Sequence, residues 1–141
     1  ESPLNAYALP NHFKLYMSDI GLLVRHGKLS VQEIISEQPS IFKGAVAENF
    51  IAQSLVAQGR ELYYWESNSG AEVDFLLNVG GNIIPIEVKS GNNTHSKSLN
   101  AFISRYKPPY AIRFSTKNFG FENGIKSLPL YAVDNGIKLI H

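Results

Sequence analysis

Asp74, Glu87 and Lys89, three charged residues placed around a tight turn, have the types and spacing to hold a metal ion and meet a phosphate. They flank Gly80-Gly81, and a Gly-Gly pair between two apolar, β-type runs predicts a two-residue hairpin turn, because both central positions need positive φ. With Val79 facing Asn82, Asp74 falls directly opposite Glu87, and Glu72 directly opposite Lys89. Alternation puts these four on one face and Val73, Phe75, Leu77, Ile84, Ile86 and Val88 on the other. Two carboxylates facing each other across a ladder repel. A shared proton would offset the repulsion, and so would a divalent cation, which prefers hard oxygen ligands. The geometry assumes an unbulged register, since one bulge would shift the pairing. A purely structural account makes Glu72–Lys89 an ordinary cross-strand ion pair and leaves Asp74 and Glu87 solvated, each worth well under ~1 kcal/mol.

The elements that must position these residues follow from pattern. Residues 1–12 read as an extended lead-in, Phe13 to Met17 alternates like a short strand, and Ser18-Asp19 can cap Ile20 to Val24. Ser30-Val31-Gln32-Glu33 is a capping box that opens a short helix through about Glu37, ended by Pro39. A stronger helix runs from Gly44 to Gln58, with Ala47, Phe50, Ile51, Ser54 and Leu55 at helical spacing and Gly59 as its stop. Glu48 sits on the edge of that stripe. Glu61 to Trp65 is an aromatic-rich strand, and Ser67 to Gly70 turns the chain into the hairpin. Asn92-Asn93-Thr94 matches a glycosylation acceptor by chance spacing. A helix from about Ser96 to Tyr106 ends at Pro108-Pro109, and Tyr110 to Ser115 reads as a mostly buried strand. Thr116 to Ser127 reads as an irregular loop, Leu128 to Val133 as a strand, and Asp134-Asn135-Gly136 as a turn toward Ile137 to Ile140. The order predicts an α/β domain, a mixed central sheet with helices on both faces, in which the helix at 96–106 makes a parallel crossover.

Composition narrows the classes. The 141 residues suit one domain spanning 1–141, and 44% hydrophobic with 18% charged content marks a globular chain. A net charge of +1 gives no global electrostatic case for nucleic acid. Without cysteine there are no disulfides, zinc thiolates or thiol nucleophiles. No apolar run reaches the ~18 residues of a membrane helix, so no membrane partner is expected, and the expected setting is the cytoplasm. A start at Glu1-Ser2-Pro3 predicts a piece of a longer protein. Gly21 to Leu29 fails as a phosphate-binding loop, because its glycines are spaced one residue too far and Leu29 replaces the hydroxyl. His12, His26, His95 and His141 show no ligand spacing, although His95 could hang over the site. Tyr63, Tyr64 and Trp65 fit core positions better than base stacking. Lys97, Arg105, Lys107, Arg113, Lys117 and Lys126 supply positive charge after the site.

An acid on a helix, an aspartate on a strand and Glu-x-Lys on the paired strand resemble the PD-(D/E)XK nuclease superfamily, the restriction-endonuclease-like fold. Asp74 matches the motif aspartate, Glu87-Val88-Lys89 the (D/E)XK part, and Glu48 the acid on the preceding helix; Val73 stands where the superfamily often has proline. Phe13 to Tyr16, Asp19 to Leu23, Gly44 to Phe50, Tyr64-Trp65, Gly70 to Leu76, Glu87 to Ser90 and Leu128-Pro129-Leu130 are similar to a domain of unknown function. That domain sits at the C-terminus of predicted AAA-type ATPases of bacteria and archaea. The resemblance implies catalytic roles for Glu48, Asp74, Glu87 and Lys89. Asp74 and Glu87 would hold Mg²⁺ or Mn²⁺ with the Val88 carbonyl, and Lys89 would orient a water or neutralise charge on the phosphate. Glu48 would accept from a water on the metal or complete a second cation site. The implied partners are DNA and the ATPase module of the parent chain. A catalytically inactive docking or interaction module and a homo-oligomer are the alternatives.

Overall fold

The computed structural model describes residues 4–36, 41–91 and 96–136. Among the described residues six strands form one mixed sheet in the order β1-β2-β3-β4-β6-β5. They are β1 (Tyr63–Glu66), β2 (Glu72–Val79), β3 (Asn82–Val88), β4 (Ala111–Ser115), β5 (Gly120–Glu122) and β6 (Ile125–Pro129). The helices are α1 (Ile20–His26), α2 (Val31–Ile35), α3 (Ile41–Ala57), α4 (Lys97–Tyr106) and a final short turn, α5 (Val133–Gly136). Among the described residues no helix is long and apolar enough to cross a membrane.

The β2–β3 turn forms as the Gly-Gly pair requires, with φ +57° at Gly80 and +84° at Gly81. The ladder runs from Val79↔Asn82 through Phe75↔Ile86 in the expected register. From β3 the chain crosses through α4 to β4, which pairs parallel to β3, and β4 pairs parallel to β6. Each face of the sheet carries a helix. Ile51 and Leu55 of α3 pack with Phe75, Leu77, Ile84, Ile86, Ile112 and Phe114. Leu99 and Phe102 of α4 pack with Val73, Leu76, Ala111 and Ile125.

Several expectations are corrected. Val73 joins the α4 side while Phe75 faces α3, because β2 is bulged against β1. Tyr63 pairs with Leu76 but Trp65 with Val73, which leaves one extra residue on β2 between those pairs. Asp74 lies in that interval. The stretch expected as a loop at 116–127 holds β5 and the start of β6, joined by Asn123-Gly124 with φ +51° and +77°. Two left-handed residues in a row are what a twisted two-residue hairpin demands. The strand expected at 128–133 stops at Pro129 and continues as a 3-10 turn, Leu130–Ala132, and then α5, which replaces the expected turn at Asp134-Asn135-Gly136. Ile137 to Ile140, Asn92 to His95, Pro39 and His141 lie outside the described residues.

Phe13 to Met17 does not join the sheet. Its end is tied by an α3 side chain instead: Met17 N–H donates to Asn49 Oδ1 at 2.7 Å, and Asn49 Nδ2 donates to Met17 O at 3.0 Å. Ile20 N–H donates to Gln53 Oε1 one helical turn further along. Asn49 is buried, so Asn49→Ala strands two backbone groups and is expected to cost about 1–3 kcal/mol. A urea midpoint measures that loss, and faster proteolysis before Ile20 places it in this segment. The capping box at α2 forms in full, with Ser30 accepting from Glu33 N–H and Glu33 from Ser30 N–H.

Candidate functional site

The bulge aims Asp74 at the end of the β2–β3 ladder. The paired register ends at Phe75↔Ile86, and beyond it the Asp74 carboxylate takes over: Val88 N–H donates to Asp74 Oδ2 at 2.7 Å. A side chain thus does the work of a backbone carbonyl and ties the two strands where they part. Burial, then the charge of Glu87, push the Asp74 carboxyl up to about 7; Glu48 adds to the rise, while the Val88 N–H and Lys14 oppose it.

Glu87 is 4% exposed, which is rare for a carboxylate. Lys89 reaches back along the strand to Glu87 Oε1 at 2.5 Å, and Lys89 N–H donates to Phe114 O. The expected Glu72–Lys89 pairing therefore does not form. Glu72 pairs instead with Lys14, and in the ladder it lies beside Glu66 of β1. Glu87 Oε2 is buried with no hydrogen-bond partner. Its neighbour in the parallel ladder is Arg113, whose Nε is buried and equally without a partner. Of the downstream basic residues, Arg113 is thus the strand neighbour of Glu87, while Arg105 and Lys126 sit over the rings of Tyr106 and Tyr110.

Glu48 projects from α3 toward the segment that precedes α1. Lys14 Nζ lies 2.9 Å from Glu48 Oε1, and Tyr16 O–H donates to the same oxygen at 2.7 Å. Lys14 also contacts Glu72 and lies 5.3 Å from the centre of the Tyr64 ring. Burial works against the Lys14 ammonium, but its bonds to Glu72 and Glu48 outweigh it, so its pKa stands above the ordinary value. Burial, then the bond to Glu48, holds the Tyr16 phenol well above its usual range. Lys14 and Tyr16 escaped the sequence reading. The available signal was their alternation, Lys-x-Tyr, with the apolar Phe13 and Leu15 on the opposite side.

A groove of about 720 Å³ runs between residues 7–16 and β1. Its walls include Tyr7, Phe13, Tyr16, Tyr64 and Trp65, and Asp74 lines it. Trp65 is fixed by packing: its ring meets Phe102 and Tyr106 edge to face, and its Nε1–H donates to Tyr106 Oη at 3.2 Å. His12 lines the same groove, and His26 closes α1.

Among the described residues no three carboxylate or imidazole side chains converge closely enough to hold a metal ion. Asp74 is held on the Val88 N–H, within reach of the Glu87 charge, and Lys89 pairs with Glu87; Glu48 is held aside by Lys14 and Tyr16. The donor chemistry of the Asp74–Glu87 pair nevertheless fits a hard divalent cation. The charge of Glu87 raises the cost of charging Asp74, one oxygen of Glu87 lacks a partner, and Mg²⁺ is commonly held by one or two carboxylates with water completing the shell.

No curated protein matches this chain. A family model described as a domain of unknown function, DUF4143, matches residues 43–133. That span takes in Glu48, the whole β2–β3 hairpin with Asp74 and Glu87, and Lys89, and it continues through α4 and β4 to β6. With well over half of its length matched, and all of the sheet, the chain belongs to the DUF4143 family.

Proposed function

We propose that this chain is a divalent-metal-dependent nuclease-like domain of the restriction-endonuclease-like fold, hydrolysing DNA phosphodiesters as a module of an AAA-type ATPase chain in the cytoplasm. The observation that carries this is the Asp74 carboxylate bonded to the Val88 N–H where β2 and β3 part, next in the chain to Glu87 and within reach of its charge, with Lys89 paired to Glu87. The order of an acid-bearing helix, an antiparallel hairpin and a parallel crossover supports it as well.

Asp74 and Glu87 would hold Mg²⁺ or Mn²⁺, which when bound polarises a phosphoryl oxygen and lowers the pKa of a water. The chain's own groups do the rest. Val88 N–H fixes the orientation of the Asp74 carboxylate, so the pair is organised before substrate arrives. Lys89, partly exposed beside Glu87, carries the positive charge that meets negative charge growing on a phosphate. Arg113 lies one strand further in and adds to the same field.

The test is cleavage of plasmid and single-stranded DNA with Mg²⁺ or Mn²⁺. The wild-type chain is expected to cut, and Asp74→Ala and Lys89→Ala to lose at least a hundredfold in rate. Cleavage that survives both substitutions sinks the site. The engagement of Glu48 by Lys14 and Tyr16 favours a second reading, an inactive docking or oligomerisation module of the same ATPase. Metal and DNA binding without cleavage by the wild-type chain is the result that supports it.

A further inference from the structure

Residues 13–16 are turned inside out. Phe13 is 69% and Leu15 87% exposed, while Lys14 and Tyr16 point inward. An alternating segment ordinarily buries its apolar side. Here the positions facing the protein are taken by an ammonium and a phenol, and what they meet is acid. Lys14 Nζ lies within bonding reach of both Glu48, on α3, and Glu72, at the start of β2. Tyr16 O–H closes on the Glu48 oxygen that Lys14 also uses. The two carboxylates come from elements far apart in sequence and converge on one nitrogen.

Resting on the metal reading above, we infer that Lys14 is the second cation of this site. Its ammonium fills the position between Glu48 and Glu72, so the folded domain takes one divalent ion, at Asp74 and Glu87, and takes another only when the Lys14 charge is removed. Two carboxylates within bonding distance of one point are a ready pair of ligands for a hard cation, with water completing the shell. A tethered ammonium at that point neutralises them at a high, fixed local concentration, against which a free metal ion must compete. Glu48 then acts through Lys14 and Tyr16 as a positioning residue. It fixes the segment that forms one wall of the groove lined by Asp74.

The experiment is a count of bound Mn²⁺ per chain by electron paramagnetic resonance, on the whole chain, with melting curves to confirm folding. Wild type is expected to bind one ion. Lys14→Gln is expected to bind two, Lys14→Arg one, and Lys14→Gln with Glu72→Gln one. No gain in Lys14→Gln, or an equal gain in Lys14→Arg, overturns the assignment. Should Lys14→Gln not fold, wild type and Glu72→Gln decide: two ions in wild type with one lost on Glu72→Gln overturns it, and one ion in both supports it. Zero ions in wild type removes the metal reading itself, while the role of Lys14 is still read from the difference between Lys14→Gln and wild type.

Discussion

In metal-free buffer the domain is expected to lose on the order of 2–4 kcal/mol of stability to Asp74 alone as pH rises from about 4 to about 7.5. The folded protein holds the Asp74 proton up to about 7, whereas an unfolded aspartate releases it near its ordinary value of 3.8. Between those two points the native state binds more protons than the unfolded state, so stability falls as pH rises, and above about 7 the contribution is flat. Burial is the first cause and Glu87 the second, with Glu48 behind them and Lys14 and the Val88 N–H working in the opposite sense. The range sits below the full conversion of the shift because Asp74 is only half-buried and solvent screens part of the repulsion.

Asp74→Asn isolates the effect. An amide oxygen can still accept from Val88 N–H, and it brings no charge toward Glu87. Urea midpoints of the two proteins are expected to converge at pH 4.5 and to separate by pH 8, with the variant the more stable. A gap that does not change with pH would remove the electrostatic account of Asp74. Millimolar Mn²⁺ at pH 8 should narrow the gap by stabilising the wild type alone, since a ligand that binds only the native state adds to its stability.

Much of the framework was legible because it is written locally. Gly80-Gly81 dictates its own turn, and the turn dictates the register through Phe75↔Ile86. Ser30 and Glu33 specify their cap within four residues. The Asn123-Gly124 turn was equally local and was passed over, because the strands it joins give little periodicity: β5 has three residues, all exposed. What could not be read is whatever depends on distant partners. The bulge in β2 is a mismatch between two strands, and neither strand's alternation reveals it. The inward turn of Lys14 and Tyr16 is imposed by acids on α3 and β2, and the alternation by itself suggested only a short strand. The candidate site lies where these two influences meet. Asp74 was found from the turn, and its actual surroundings came from the bulge and from the segment packed over it.

Lys89→Met is expected to destabilise the domain by about 2–4 kcal/mol, which matters for any assay that treats Lys89 as purely catalytic. Glu87 is among the most enclosed charged side chains described, and the Lys89 ammonium is the partner of its Oε1. Removing one member of a buried pair leaves the other charge uncompensated, and that loss exceeds what the pair contributes when intact. Arg113, the neighbour of Glu87 in the parallel ladder, makes no ion pair with it, so Lys89 is the cation whose loss Glu87 feels directly. A double-mutant cycle separates the roles. Glu87→Gln with Lys89→Met removes both charges and should recover more than half of the stability lost by Lys89→Met, while metal binding is lost with the Glu87 carboxylate. A double variant no more stable than Lys89→Met would mean that Lys89 supports the fold through packing of its stem, not through Glu87. Lys89→Arg keeps the cation and should keep the stability. Cleavage by Lys89→Arg, measured at a temperature where it is fully folded, then reports on the phosphate role alone: a loss there, with Glu87 still paired, belongs to chemistry and not to folding.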